Sequence, residues 1–247
     1  MPIDVAGGTL SSTGISSTGQ FKKNLSVNAG LIGYWDCAIT SSWTNGSSTL
    51  YDLSGSGSNA TAYGSVTTAT FGSALGWNFD ADGKYFSGTF EVGASTNATI
   101  EAWVWPAASE LTAGDRGTLI MCNNSSGSGI YHSWNKSNAA LSNYWYGHPS
   151  EGYWETAGAM TRSAWNYTCA VWNYKEQTIH QYIGTTHGQG STTVGTTNNT
   201  GMNFLIARES SDRQFSGGIA LIRYWNRALQ SQEVYNNYYA EKGRFGL

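Results

Sequence analysis

The stretch ATIEAWVWP, residues 98–106, alternates Ile100, Ala102 and Val104 on one side of an extended chain with Glu101, Trp103 and Trp105 on the other. Both sides carry large groups, so the pattern predicts a strand that is covered on both faces or floors a groove. Pro106, which has no N–H to give to a ladder, ends it. Similar short runs recur outward from this strand in both directions: LIGYWD (31–36), GWNF (76–79), KYFSGTF (84–90), GTLIM (117–121), GIYHSW (129–134), WNYTCAVW (165–172), TIHQYIG (178–184), MNFLIA (202–207) and GGIALIRYW (217–225). They are rich in β-branched and aromatic residues and bounded by Gly, Ser and Asn clusters, the pattern of an all-β sandwich or barrel. One helix is predicted after the last run. Ser231 caps it, Glu233 meets the macrodipole in the first turn, Val234, Tyr235, Tyr238 and Tyr239 recur at helical spacing, and Gly243 stops it. Leu221, Tyr224, Trp225, Leu229 and Tyr238 are expected to anchor this closing segment to the sandwich.

With 247 residues and 40% hydrophobic content the chain suits one large domain with a sizeable core. Charged residues are only 12%, about half the ~25% of ordinary soluble proteins, and the net charge of −3 offers no basic field for counterion release. Nucleic acid and anionic membranes are therefore not expected partners. No run of eighteen apolar residues occurs, and the opening MPIDVAGGTL has neither the basic nor the apolar region of a signal peptide. Cys37, Cys122 and Cys169 are widely spaced, without C-x-x-C or a nearby histidine at ligand spacing, and read as buried small hydrophobes. The N-x-S/T triplets at Asn59, Asn97 and Asn166 are what a Ser/Thr/Asn-rich chain produces by chance.

Residues 1–30 differ from the rest. Between Val5 and Gln20 they are almost wholly Gly, Ser and Thr, with a tandem LSSTG (10–14) and ISSTG (15–19). Such a composition buries too little apolar surface to offset its own ordering entropy, and it orders only when another surface takes up its backbone hydrogen bonds. The expectation is an extended assembly arm at 1–30 and a folded domain at 31–247. Ile3, Val5, Leu10, Ile15, Phe21 and Leu25 are its sparse apolar pegs, and Lys22 and Lys23 suit an acidic neighbour.

Four segments, LIGYWD (31–36), YDLSGSGSNATAYG (51–64), ATIEAWVWP (98–106) and FSGGIALIRYWNRALQSQEVYNNY (215–238), stand in an order that resembles laminin-G-like domains of the concanavalin A-like lectin/glucanase superfamily. The resemblance covers residues 31–247 and implies a jelly-roll sandwich of two antiparallel sheets. The ending YNNYYAEKGRFGL (235–247) is similar to that of laminin-G-like structural proteins of tailed bacteriophages. The chain departs from the family at Gly218-Ile219-Ala220, where many relatives carry an acidic residue after the isoleucine. That departure puts a calcium site in doubt. Asp52, Asn59 and Asp80 remain as oxygen ligands, but Asp52 and Asn59 are better read as holding the turn around Gly55 and Gly57. No metal or cofactor is expected.

Glycosidase relatives need two carboxylates facing a groove. The laminarinase-like E-x-D-x-x-E string is absent, and Glu101 has no second carboxylate on its face locally. Glu151 and Glu155 fall in a Gly/Tyr/Trp loop. Neither a G-x-S-x-G elbow nor a P-loop, a G-x-G-x-x-G or an H-E-x-x-H occurs, and His132 and His180 read as structural strand histidines. No enzyme is expected. The most suggestive cluster is Tyr144, Trp145, Tyr146, His148, Glu151, Tyr153 and Trp154, seven residues within a stretch of eleven that serve either as a glycan platform or as interface and core aromatics. Two functions follow. The first is a structural virion protein, a decoration or cement protein on the bacteriophage head exterior. It would be assembled in the host cytoplasm, bound to the major capsid protein or other virion proteins, and homo-oligomeric as a trimer. The alternative is a glycan-binding adhesin or tail-fibre lectin module for cell-surface glycans.

Overall fold

The computed structural model describes residues 28–90, 97–109, 114–123, 129–146, 152–191 and 201–247. Among them sixteen strands form two antiparallel sheets of eight, the predicted sandwich. The first sheet runs β14 (Thr186–Ser191), β13 (Thr178–Ile183), β12 (Asn166–Asn173), β7 (Ala98–Pro106), β16 (Gly217–Trp225), β5 (Ala74–Phe79) and β4 (Thr67–Phe71). β1 (Leu31–Asp36) pairs with β16 as well, along Leu221–Trp225, beyond the part of β16 that pairs with β5. The second sheet runs β11 (Gly152–Ala159), β10 (Ala140–Tyr146), β9 (Gly129–Asn135), β8 (Arg116–Asn123), β15 (Asn203–Ile206), β6 (Tyr85–Thr89), β3 (Ala60–Tyr63) and β2 (Thr49–Leu50).

β7 lies in the middle of the first sheet and is covered on both faces, as its alternation predicts. Ile100, Ala102 and Val104 are fully buried among the residues of the sandwich core. Between the sheets an aromatic layer joins Trp35 to Phe90 and Phe204, Tyr224 to Phe90, and Trp77 and Phe79 to Phe86, with centroids 4.7–6.3 Å apart. Glu101 and Trp103 point the other way, under the C-terminal helix α1 (Ser231–Glu241) and the 3-10 turn Lys242–Phe245. Leu221, Tyr224, Trp225 and Leu229 are buried and Tyr238 packs on the core, as expected of an anchored closing segment. All three cysteines are buried and free.

Two details of the helix differ from the sequence reading. The N-cap is Gln230, whose N–H donates to Glu233 Oε2 at 2.8 Å, while Ser231 is already helical and its hydroxyl meets Tyr182 OH at 3.0 Å. Gly243 does not stop the chain. The helix tightens into the 3-10 turn through it, and the turn ends at Gly246, whose φ of 75° is in the left-handed region that glycine tolerates. The arm residues Ile3, Val5, Leu10, Ile15, Phe21, Lys22, Lys23 and Leu25 lie outside the described residues.

Candidate functional site

The two outer faces of the sandwich differ. α1 and the following turn cover the first sheet, whereas no helix among the described residues covers the second. On that sheet Ile120, Cys122, Ile130, His132, Trp134 and Phe204 face the core, so the residues between them face outward. A register shift between Thr118 and Ile120 resets the phase of β8, which turns both Thr118 and Met121 outward although they are three residues apart.

Outward on this sheet lies a cavity of about 250 Å³ lined by Arg116, Tyr131, Tyr144, Glu209 and Arg213. The Arg116 guanidinium carbon sits 4.1 Å from the centre of the Tyr144 ring, and Arg116 Nε pairs with Glu209 Oε2 at 3.0 Å. Glu209 also takes Arg213 Nη1 at 2.9 Å and the Thr118 hydroxyl at 3.2 Å, and Arg213 Nε reaches Asp115 at 3.0 Å. Two cations and two anions balance. Beside the cavity, Ser133 donates to Thr118 at 3.3 Å, and Glu155 accepts from Ser142 at 2.8 Å and from Asn135 at 2.7 Å. Further along the same face, on β3 and β6, Tyr63 and Tyr85 stack at 4.6 Å with Arg208 over Tyr85 at 4.8 Å. Flat rings beside fixed guanidinium and carboxylate groups suit a neutral ligand that has one apolar face and many hydroxyls.

Five of the seven residues of the aromatic cluster lie on the paired strands β10 and β11 and not in a loop. Tyr144 and Tyr153 sit opposite each other on β10 and β11, as do Asn143 and Trp154. Tyr144 lines the cavity. Trp154 lies against the core, in the space left by the absent side chain of Gly190, where a Cβ would come within 2.1 Å of the indole. His148 and Glu151 lie outside the described residues, and of Trp145, Tyr146 and Tyr153 the backbone alone is described. Glu155 is on β11 and so on the sheet floor, contrary to its loop assignment. Arg116, Tyr131, Glu209 and Arg213 carry the cavity with Tyr144, and none of these four stands out as a site residue in the sequence. They lie up to 97 residues apart, and no spacing joins them before the strands pair.

The remaining candidates hold structure. Asp52 accepts backbone N–H bonds from Tyr34 and Ser54, both at 2.9 Å, and from Gly57 and Ser58, together with the hydroxyls of Ser54 and Ser56. Asn59 Oδ1 accepts from the Asp52 N–H. These are the turn bonds expected around Gly55 and Gly57. Asp80 pairs with Lys84 at 2.7 Å. Glu101 does have a carboxylate neighbour, supplied by the helix: Glu241 and Glu101 both bind the buried Arg223.

His132 is fully buried, with Nδ1 2.7 Å from Asn143 Oδ1 and Nε2 2.9 Å from Thr168 Oγ1. Burial pushes its pKa down from 6.5 to about 4. The folded state therefore prefers the neutral ring, and the unfolded chain takes up the proton first. Stability is full above pH ~6.5 and is lost as pH falls toward ~4, by about 3 kcal/mol. Denaturant titrations across that window should show the slope in the parent and a much shallower one in His132→Gln. Equal slopes would remove His132 from the account. His180 and His187 shift in the same direction, so the variant isolates His132 from them.

A family model described as the concanavalin A-like lectin/glucanases superfamily matches residues 81–235, more than half of the chain. No curated protein matches. Among solved structures, the ligand-binding domain of botulinum neurotoxin serotype D, in complex with N-acetylneuraminic acid, superposes at a TM-score of 0.64 and 11% identity. The match covers 87% of this chain and 52% of that one. Trypanosoma rangeli sialidase gives 0.61 at 14%, over 87% and 33%. Domain 4 of AbnA, an extracellular arabinanase of Geobacillus stearothermophilus in complex with arabinotriose, gives 0.61 at 12%, over 83% and 97%. The chain thus spans about half the length of the neurotoxin domain and nearly all of the arabinanase domain. At these identities the likeness is one of fold.

Proposed function

The chain belongs to the concanavalin A-like lectin/glucanase superfamily, and we propose that it is a non-catalytic binding module that takes up a carbohydrate on the open face of its second sheet. The observation that carries this reading is the cavity of Arg116, Tyr131, Tyr144, Glu209 and Arg213. The complexes with N-acetylneuraminic acid and with arabinotriose formed by two proteins of the same fold are consistent with it. Catalysis finds little support among the described carboxylates. Glu101 and Glu241 are sealed around Arg223, Glu209 is held by two arginines, and Glu155 by a serine and an asparagine.

A glycan array probed with the full chain tests the reading. Saturable binding is expected, and Tyr144→Ala should weaken it by about 1–2 kcal/mol, roughly tenfold, with the melting temperature held. Arg116→Ala should do the same. An array without signal, or binding indifferent to both changes, would overturn the site.

A second reading places this module on a virion as a decoration protein. It rests on the Gly/Ser/Thr composition of residues 1–30 and on the phage-like ending at 235–247. Among the described residues, the domain from Leu31 onward forms its core from its own strands. Deleting residues 2–27 should leave the melting temperature unchanged while abolishing incorporation into particles. Full incorporation of the truncated chain would end that reading.

A further inference from the structure

The hairpin β13–β14 forms one edge of the first sheet, and its register sets His180 opposite Gln189 and His187 opposite Tyr182. The two histidines are thus diagonal neighbours on one face. Nδ1 of His180 lies 3.1 Å from Nε2 of His187, with the ring planes 5° apart. Such a hydrogen bond needs one N–H and one lone pair, so the pair cannot carry two protons on the facing nitrogens. Two neighbours fix the pair. His187 stacks on Tyr182 at 4.6 Å, Tyr182 is tied to Ser231 and to the edge of Tyr235 on α1, and His180 Nε2 lies 3.4 Å from the Thr178 hydroxyl. A bond from Nε2–H to Thr178 keeps that proton off Nδ1, as the outer partners of metal-bound histidines do.

We propose that His180 and His187 form a two-imidazole site for a divalent transition-metal ion of the zinc, nickel and copper class. Imidazole nitrogens suit those ions and not magnesium or calcium. Two nitrogens 2.0–2.1 Å from a tetrahedral ion are about 3.3 Å apart, so the observed pair opens by about 0.2 Å while each ring turns its lone pair from its neighbour to the ion. His187 is exposed and His180 partly so, which leaves room for water to complete the coordination. No group of three or more His, Cys, Asp or Glu among the described residues is placed to hold a metal, so among them the two imidazoles are the protein's share of this site. The groups that act on the pair are few. Burial lowers both pKa values, His187 lowers that of His180 further, and Glu176 opposes this at His180. Neutral rings at neutral pH are the form a metal needs.

Calorimetric titration of the full chain with zinc chloride and nickel chloride, with NMR of the histidine ring protons, tests the site. One saturable equivalent is expected that perturbs the His180 and His187 signals, with magnesium inert. His180→Gln and His187→Gln should each weaken binding by about 100-fold, since each removes one arm of the chelate. Absence of saturable binding in the parent would overturn the proposal. So would binding of parent strength in both variants, which would put the metal elsewhere.

Discussion

Replacing Arg223 with leucine should destabilise the fold by about 3–5 kcal/mol, a large part of the 5–15 kcal/mol that holds a typical domain together. Arg223 is fully buried on β16, with Nη1 2.6 Å from Glu101 on β7 and Nη2 paired with Glu241 at the end of α1. Tyr167 and Asn237 donate to the other Glu101 oxygen at 2.8 and 3.0 Å, and the Tyr34 ring lies 5.2 Å from the guanidinium carbon. Leucine would leave two carboxylates in a dry site without their cation. The loss comes from those stranded charges and not from the intrinsic strength of the ion pairs. The triple change Glu101→Leu, Arg223→Met and Glu241→Leu should therefore recover much of the stability. If Arg223→Leu unfolds in urea at the parent's midpoint, the cluster does not hold helix to sheet as described.

That cluster also shows where the sequence is readable and where it is not. Strand β7 is legible because local alternation sets which residues share a face, and Glu101 and Trp103 on one side already demand a cover. What covers them is not legible. Glu241 lies 140 residues away in the chain, and nothing in its neighbourhood marks it as the partner of a strand residue. Strands β10 and β11 are hidden for a different reason. In the sequence their aromatic residues flank Gly147 and Pro149, and in one dimension such a mixture reads as a loop. β14, THGQGS, has no apolar alternation, because its place at the sheet edge leaves most of it exposed. The cavity inherits these gaps. Tyr144 stands out as one of a crowd of rings, but Arg116, Glu209 and Arg213 acquire meaning only once β8 to β10 pair and the segment after β15 folds over them.

The outer face of the first sheet depends on the C-terminal segment for its cover, and Trp103→Ala tests that dependence. Trp103 is fully buried on β7, stacked on Phe245 at 4.0 Å and 14° and on Tyr238 at 5.8 Å and 12°, with Tyr167 tilted against it at 5.4 Å. Arg244, next to Phe245, forms a two-point pair with Asp36 of β1 at 2.6 and 2.8 Å, so the 3-10 turn is held from two sides. Truncating a buried tryptophan costs roughly 3–5 kcal/mol through lost transfer energy and the cavity that remains. The cost should be local before it is global. Amide exchange in residues 231–245 should quicken more than in β8 to β10, because Trp103 packs directly on that segment and lies on the face of β7 turned away from the second sheet. With α1 loosened, the outer face of the first sheet opens and exposes an apolar surface that promotes aggregation. Unchanged protection of residues 231–245 in the variant would show that the ion cluster alone docks the helix, with the stacked rings contributing little.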